Sequence, residues 1–137
     1  MKHGLMRVLS RGMIVWLIIM AAETVHGIIR TLFLTPRLGD MRARQFSVFV
    51  GSLLIVLLTF VFVRWLKGST VTHFILVGAM WVLLTVGFEI VLGRLVMGLS
   101  WERIASDYDI AEGGLMIFGL LIMLLAPLMM AKLRDEI

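Results

Sequence analysis

The chain has no cysteine, two prolines, a single tyrosine and few charges, with 16% Asp, Glu, Lys and Arg against 61% hydrophobic residues. Without cysteine there are no disulfides, thiolate metal sites, iron–sulfur clusters or thiol nucleophiles within this chain. The shortage of charge excludes a water-soluble domain, because 137 residues expose a large surface that must be kept polar. Gly-rich phosphate loops, paired His–Glu zinc spacing and serine nucleophile motifs are also missing, so no catalytic residue is assigned. Of the two prolines only Pro127 stands inside an apolar run, where it is expected to kink or end a helix.

Four long apolar stretches fill more than half the chain, and the mean hydropathy is +1.04. They run over 13–34, 47–65, 74–96 and 113–133, each near the ~20 residues a helix needs to cross a ~30 Å hydrocarbon layer. Backbone polar groups must be paired inside lipid, so helices follow. The intervening segments, 35–46, 66–73 and 97–112, leave no room for a soluble domain. The expected fold is therefore all-α: a polytopic membrane protein, one domain over 1–137, with four transmembrane helices as two antiparallel hairpins. The lipid bilayer is the first partner.

The net charge of +4 does not point to nucleic acid, since the basic residues flank the apolar stretches rather than form one patch. The face with both termini and the second loop carries seven of them, Lys2, Arg7, Arg11, Arg64, Lys67, Lys132 and Arg134. The other carries five, Arg37, Arg42, Arg44, Arg94 and Arg103. The positive-inside rule thus places both termini in the cytoplasm. The basic start and apolar MIVWLIIMAA resemble a secretory signal, but a small-x-small cleavage site is lacking and apolar sequence resumes at GIIRTLFL, so the stretch reads as an uncleaved span.

With four spans, odd-numbered helices point the same way, which permits a parallel internal repeat. Glu23 is followed by Gly27 and by GSLLIVL from Gly51; Glu89 is followed by Gly93 and by GLLIMLL from Gly119, at spacings of 28 and 30 residues from Glu to the later Gly.

Ionisable residues inside spans cost ~2.5 to 3.5 kcal/mol or more at mid-bilayer unless paired or hydrated. Glu23, His26, Gly27 and Arg30 follow i, i+3, i+4, i+7 and share one helix face, which must turn from lipid. At 1.5 Å per residue they lie about 15 to 25 Å deep, and Glu89 on the parallel third helix lies about 22 Å deep, at the same level. The expected arrangement is a polar cluster in which Glu89 pairs with Arg30 and Glu23 with His26, with Gly27 and Gly93 letting the two backbones approach. Arg94, about 140° round the helix from Glu89, reaches the interface and borders the cluster. Such charges either lock the packing or do chemistry.

The first loop, TPRLGDMRARQ, brings Arg37, Asp40, Arg42 and Arg44 to the same membrane face, as interfacial anchors or as a collar for phosphate groups. In SWERIASDYDIAEGG, Ser100 is expected to cap a short interfacial helix, with Trp101 and Tyr108 as aromatic anchors. Asp107, Asp109 and Glu112 lack the turn and ligand count of an EF-hand and read as a solvated acidic loop rather than a metal site. His26 and His73 fall towards opposite faces, which disfavours haem, and the eleven methionines read as packing, so no cofactor is expected.

Three functions compete. The leading one is a small transporter or channel working as a homo-oligomer through the Glu23, His26, Arg30, Glu89 cluster. The second is a structural or assembly subunit that binds partner membrane subunits. The third is an intramembrane enzyme acting on a lipid or quinone, with Glu23 or His26 as acid–base.

Overall fold

The computed structural model describes residues 2–137, without the side chains of Lys2, His3 and Glu112. Two sequence expectations, Lys2 in the charge count and Glu112 in the acidic loop, thus fall on side chains outside the described residues.

All regular structure among the described residues is helical. Helix α1 (Lys2–Ile29) passes through a π-helical turn (Arg30–Leu34) into α2 (Thr35–Leu38); α3 (Asp40–Phe62) follows after Gly39. Helix α4 (Val71–Val91) ends in a second π turn (Leu92–Val96), then come α5 (Trp101–Ser106), a 3-10 turn (Ile110–Glu112) and α6 (Met116–Leu133). Four runs are long and apolar enough to cross a membrane: Gly4–Leu38, Asp40–Phe62, Val71–Val96 and Met116–Leu133. The chain is an all-α protein of multi-pass membrane type.

Local sequence explains the boundaries. Helix α1 begins well before the apolar stretch, and TPRLGDMRARQ, read as a loop, is helical on both sides of Gly39. Pro36 sits in the first turn of α2, directly after the π turn, where the Thr35 N–H still reaches the Arg30 carbonyl. Gly39 breaks the run with φ +86°, and Asp40 in the first turn of α3 suits the positive end of the helix dipole. Thr70 caps α4 by accepting from the His73 N–H, and Ser100 caps α5 by accepting from the Arg103 N–H. Helix α6 does not end at Pro127 but continues to Leu133, with Pro127 buried inside the bundle. Packing on two neighbouring helices holds it.

Helix α1 packs against α3 and α4, and α6 packs against the same two, so the four long helices form a square with α1 diagonal to α6. At the end that holds both termini, Arg11 donates to the Trp65 carbonyl at 2.6 Å with its guanidinium over the Trp65 ring. Arg134 donates to the Phe60 carbonyl at 2.8 Å and lies over the Phe60 ring. Arginine at this end covers aromatic faces while its charge stays at the edge.

From there to mid-bundle the interior is closed. Val8, Val15, Trp16, Ile19 and Met20 of α1 meet Phe74, Val77 and Trp81 of α4 and Met123, Ala126 and Met130 of α6. Both buried indoles are satisfied: Trp81 Nε1 donates to the Gly12 carbonyl at 2.8 Å, and Trp16 Nε1 to Thr85 Oγ1 at 3.0 Å. The Thr85 hydroxyl in turn donates to Met123 Sδ at 3.1 Å. In a membrane such packing and bonding replace the hydrophobic drive that water supplies elsewhere. In this closed half the tightest backbone approach is at Gly78, where a Cβ would collide with the Leu124 carbonyl of α6. Beyond Met20 this core stops: no residue from Ala21 to Leu38 is buried.

Candidate functional site

The half of the bundle past Met20 contains a half-open chamber of about 570 Å³, within the ~300–1,000 Å³ typical of small-molecule sites. Its main polar residues come from five segments. Glu23 and His26 come from α1, Arg30 from the π turn that follows, Arg44, Ser47 and Ser52 from α3, Glu89 from α4, and Asp107 and Tyr108 from the segment after α5. Its floor is apolar, formed by Met20, Ile55, Phe88 and Met123. Both π turns lie in this half; single π turns in α-helices are frequent at functional sites.

The shared face of α1 is therefore where the i, i+3, i+7 spacing puts it, on the interior side, and Glu89 is at the same level. The expected pairs are not formed. Among the described residues no salt bridge joins Glu23 or Glu89 to Arg30 or His26; the salt bridges present lie at the rim. The reason is the direction of the side chains. The Glu23 carboxylate turns towards α3 and lies over Gly51, where a Cβ would sit 2.7 Å from Oε2. Arg30 folds back along its own helix, with Nη2 3.8 Å from where a Gly27 Cβ would be. Arg30 is still near enough to act electrostatically on Glu23, His26 and Glu89.

Gly27 and Gly93 both border the chamber but do not bring α1 and α4 together. A Cβ at Gly27 would meet only Arg30, and one at Gly93 would meet Ile104 at 3.1 Å and Leu99, both on the following segment. Arg94 stands apart from the chamber: it donates to the Leu99 carbonyl at 3.0 Å and lies over the Trp101 ring at 4.7 Å. Trp101 is exposed, an interfacial position, whereas Tyr108 is half-buried and faces inward.

The rim is a clasp of four charges. Arg44 of α3 pairs with Asp40 at 3.2 Å and with Asp107; Arg103 of α5 pairs with Asp40 at 3.2 Å and with Asp107 at 3.4 Å. Gln45 donates to the Gly113 carbonyl at 2.7 Å beside it. The two arginines and two aspartates balance and fasten α5 to the start of α3. Thus the collar divides: Arg44 and Asp40 are in the clasp, while Arg37 and Arg42 are exposed. The acidic loop is corrected too, since Asp107 is ion-paired rather than solvated and Asp109 caps the 3-10 turn by accepting from the Ala111 N–H. No group of three His, Asp or Glu among the described residues is placed to hold a metal ion. His73 is far from His26, at the opposite end of the bundle, accepting from the Ser69 N–H through Nδ1.

Six buried side-chain atoms among the described residues have no hydrogen-bond partner in the protein: Glu23 Oε1, His26 Nε2, Arg44 Nε, Ser47 Oγ, Ser52 Oγ and Tyr108 Oη. All six belong to residues lining this one chamber. Buried polar groups are nearly always paired, so the concentration marks the chamber as a place for polar ligands or water. The Tyr108 phenol has its pKa pushed up to about 12, by burial first and then by the negative charges of Glu89 and Asp107. It therefore stays a neutral O–H donor throughout the physiological range.

Ser47, Ser52, Gln45, Gly51 and Arg103 were not expected at the site, Gly51 having entered only as a repeat position and Arg103 only in the charge count. A signal existed for two of them: Ser47 and Gly51 stand at i, i+4 in an otherwise apolar run, and so share a helix face, with Ser52 about 140° round from Ser47. Arg103 carried none, because its role depends on where α5 folds. In comparisons with family models, curated proteins and solved structures, nothing matches the chain.

Proposed function

We propose that the protein is a small membrane carrier whose solute binds in the chamber, with Glu23 and Glu89 as the groups that hold its cationic part or a proton in exchange. The observation that carries this reading is the unpaired state of both carboxylates. Charges that only locked the packing would be joined to Arg30 and His26, because an unpaired buried charge costs far more than a paired one. Instead both line the chamber, where Glu23 Oε1 is in company with the other five partnerless buried side-chain atoms of the described residues.

The two halves support a carrier over a channel. The chamber is open on one half, and the other half is sealed by fully buried Trp81, Phe74 and Leu66. An open site above a closed half is one state of alternating access, in which one part of the bundle rocks against another around a fixed site. We read the spans as two antiparallel hairpins, α1 with α3 and α4 with α6. The contacts of Arg11 with Trp65 and of Glu23 with Gly51 support the first. On the count of basic residues the termini face the cytoplasm, and the chamber then faces the opposite side. A homo-oligomer provides the second surface for the rocking helices. The assembly-subunit reading has less support, since the rim charges are satisfied within the chain.

The test is reconstitution of the purified chain in liposomes with a pH-sensitive dye inside, challenged with a panel of primary and quaternary amines. A solute-evoked proton flux that falls at least tenfold in Glu23→Gln plus Glu89→Gln protein supports the carrier. Flux that is unchanged in a double variant that inserts and assembles normally overturns it, as does the lack of flux with every amine.

A further inference from the structure

The chamber holds unsatisfied groups of both signs. Glu23 Oε1 is left to accept, and Arg44 Nε, Ser47 and Tyr108 to donate; Glu89 and Arg30 also line the chamber, and neither is in a salt bridge among the described residues. Arg44 otherwise spends its charge in the balanced clasp, which leaves Arg30 as a guanidinium in the chamber with no salt bridge to a carboxylate of the described residues. A simple cation would satisfy the carboxylates and leave the donors unpaired. A simple anion would do the reverse. Only a ligand that carries both charges on one short head group satisfies the two sets together.

The apolar features say what is attached to that head group. Below the polar groups lies the floor of Met20, Ile55, Phe88 and Met123. The bonds and ring contact that join α1 to α4 stop at this level: Trp81 to Gly12, Trp16 to Thr85, and the edge-to-face pair Trp16–Phe88 at 6.2 Å. Beyond it α1 buries no residue, and the surfaces on either side are apolar and exposed, with Ile28 and Leu32 on the first span and Leu95 and Met97 on and after the second π turn. A head group in the chamber can therefore carry its hydrocarbon outward to the lipid between these two spans.

We infer that the chamber binds the head group of a zwitterionic aminophospholipid, with the phosphate on Arg30 and Arg44 Nε, the primary ammonium on Glu23 and Glu89, and the acyl chains leaving between α1 and α4. A primary ammonium is required over a quaternary one because the carboxylate oxygens need N–H donors, which a trimethylated head group lacks. The guanidinium donors suit phosphate oxygens. This rests on the chamber being a ligand site, as the carrier reading does, but requires no movement of the ligand.

The experiment is native mass spectrometry of the full chain released from vesicles of equal parts phosphatidylethanolamine, phosphatidylcholine and phosphatidylglycerol. The expected result is phosphatidylethanolamine retained about tenfold over phosphatidylcholine, the effect of losing a charge-assisted hydrogen bond. Glu23→Gln plus Glu89→Gln protein should lose that preference while still retaining phospholipid; Arg30→Gln protein should retain less of all three. Equal retention of the three lipids by the unaltered protein overturns the inference, whatever the variants do. Phosphoethanolamine and glycine are titrated in parallel: displacement of the lipid by either at comparable concentration means that a soluble zwitterion is the ligand, and the lipid assignment fails. Amine-evoked proton flux with no lipid preference leaves the carrier standing and removes this inference. Lipid retention with no flux does the opposite.

Discussion

The two halves of this bundle are built from the same helices and the same kind of apolar sequence, yet one is closed and the other is hollow. In the closed half α1 inserts Val15, Trp16 and Ile19 between its neighbours, and each buried indole N–H has an acceptor. In the hollow half Glu23 and His26 of α1 and Arg30 of the π turn continue that face, and six buried side-chain atoms of the described residues go without protein partners. The difference shows that a helix face can change from packing surface to site wall within two turns when its side chains change from apolar to ionisable. Stability and ligand binding are thereby assigned to separate ends of one small bundle.

The comparison breaks most severely at Gly78. A methyl group there meets the Leu124 carbonyl, which is backbone and cannot rotate away, so Gly78→Ala should cost about 3 kcal/mol or more and lower the melting temperature sharply. Gly27→Ala, in the hollow half, meets only the flexible end of Arg30 at 3.8 Å and should leave the melting temperature within error or raise it slightly. Equal losses from the two substitutions would mean that the halves are packed alike.

Second in size is the clasp. Arg44 is only 11% exposed and holds both Asp40 and Asp107, so Arg44→Met should cost about 2 kcal/mol, with Asp107 keeping Arg103 as its remaining partner. The loss should be local. Hydrogen exchange is expected to quicken in α5 and around Gly113 while the amides flanking Trp81 keep their protection. Quickening across both halves would show that the clasp supports the whole bundle.

Smaller again is the effect of removing the carboxylate charges. Glu23→Gln and Glu89→Gln are isosteric and leave the chamber walls in place, and an unpaired buried charge gives the fold nothing to lose. Their melting temperatures should be equal to or above that of the unaltered protein, in contrast to the ligand-binding and flux losses expected of the same variants. A drop of several degrees would mean that the carboxylates act as packing locks.

The four apolar runs and the interior face of α1 were legible because both depend on spacing along one helix. Glu23, His26 and Arg30 lie on one side for the same reason that Val15 and Ile19 do. Contacts between helices were not legible at the same level. Glu89 lines the same chamber as Arg30, but whether Arg30 reaches it depends on a rotamer, and Arg30 folds along its own helix instead. Gly93 was expected to face α1, and the fold of residues 99–104 beneath it decided otherwise. Gly78 attracted no attention because an isolated glycine in an apolar run carries no sign of what packs against it. The clasp depends on α5, a six-residue helix whose position is set by the chain on both sides.

The finest probe of the hollow half is Tyr108, which is the chain's single tyrosine and so titrates without interference. A solvated phenol has its midpoint near ~10, whereas burial together with Glu89 and Asp107 pushes this one up to about 12. Between those values the unfolded chain releases the phenolic proton and the folded chain keeps it, so the folded state binds more protons and stability must fall as the pH rises through that window. Ultraviolet titration of the phenolate band should therefore give a midpoint near 12, and Tyr108→Phe should flatten the alkaline loss of stability. Glu89→Gln should bring the midpoint down only in part, because burial is the larger cause and remains. A midpoint near ~10 in the unaltered protein would place the phenol in bulk water, and the hollow half would then be an open cleft rather than a chamber that withholds its polar groups from solvent.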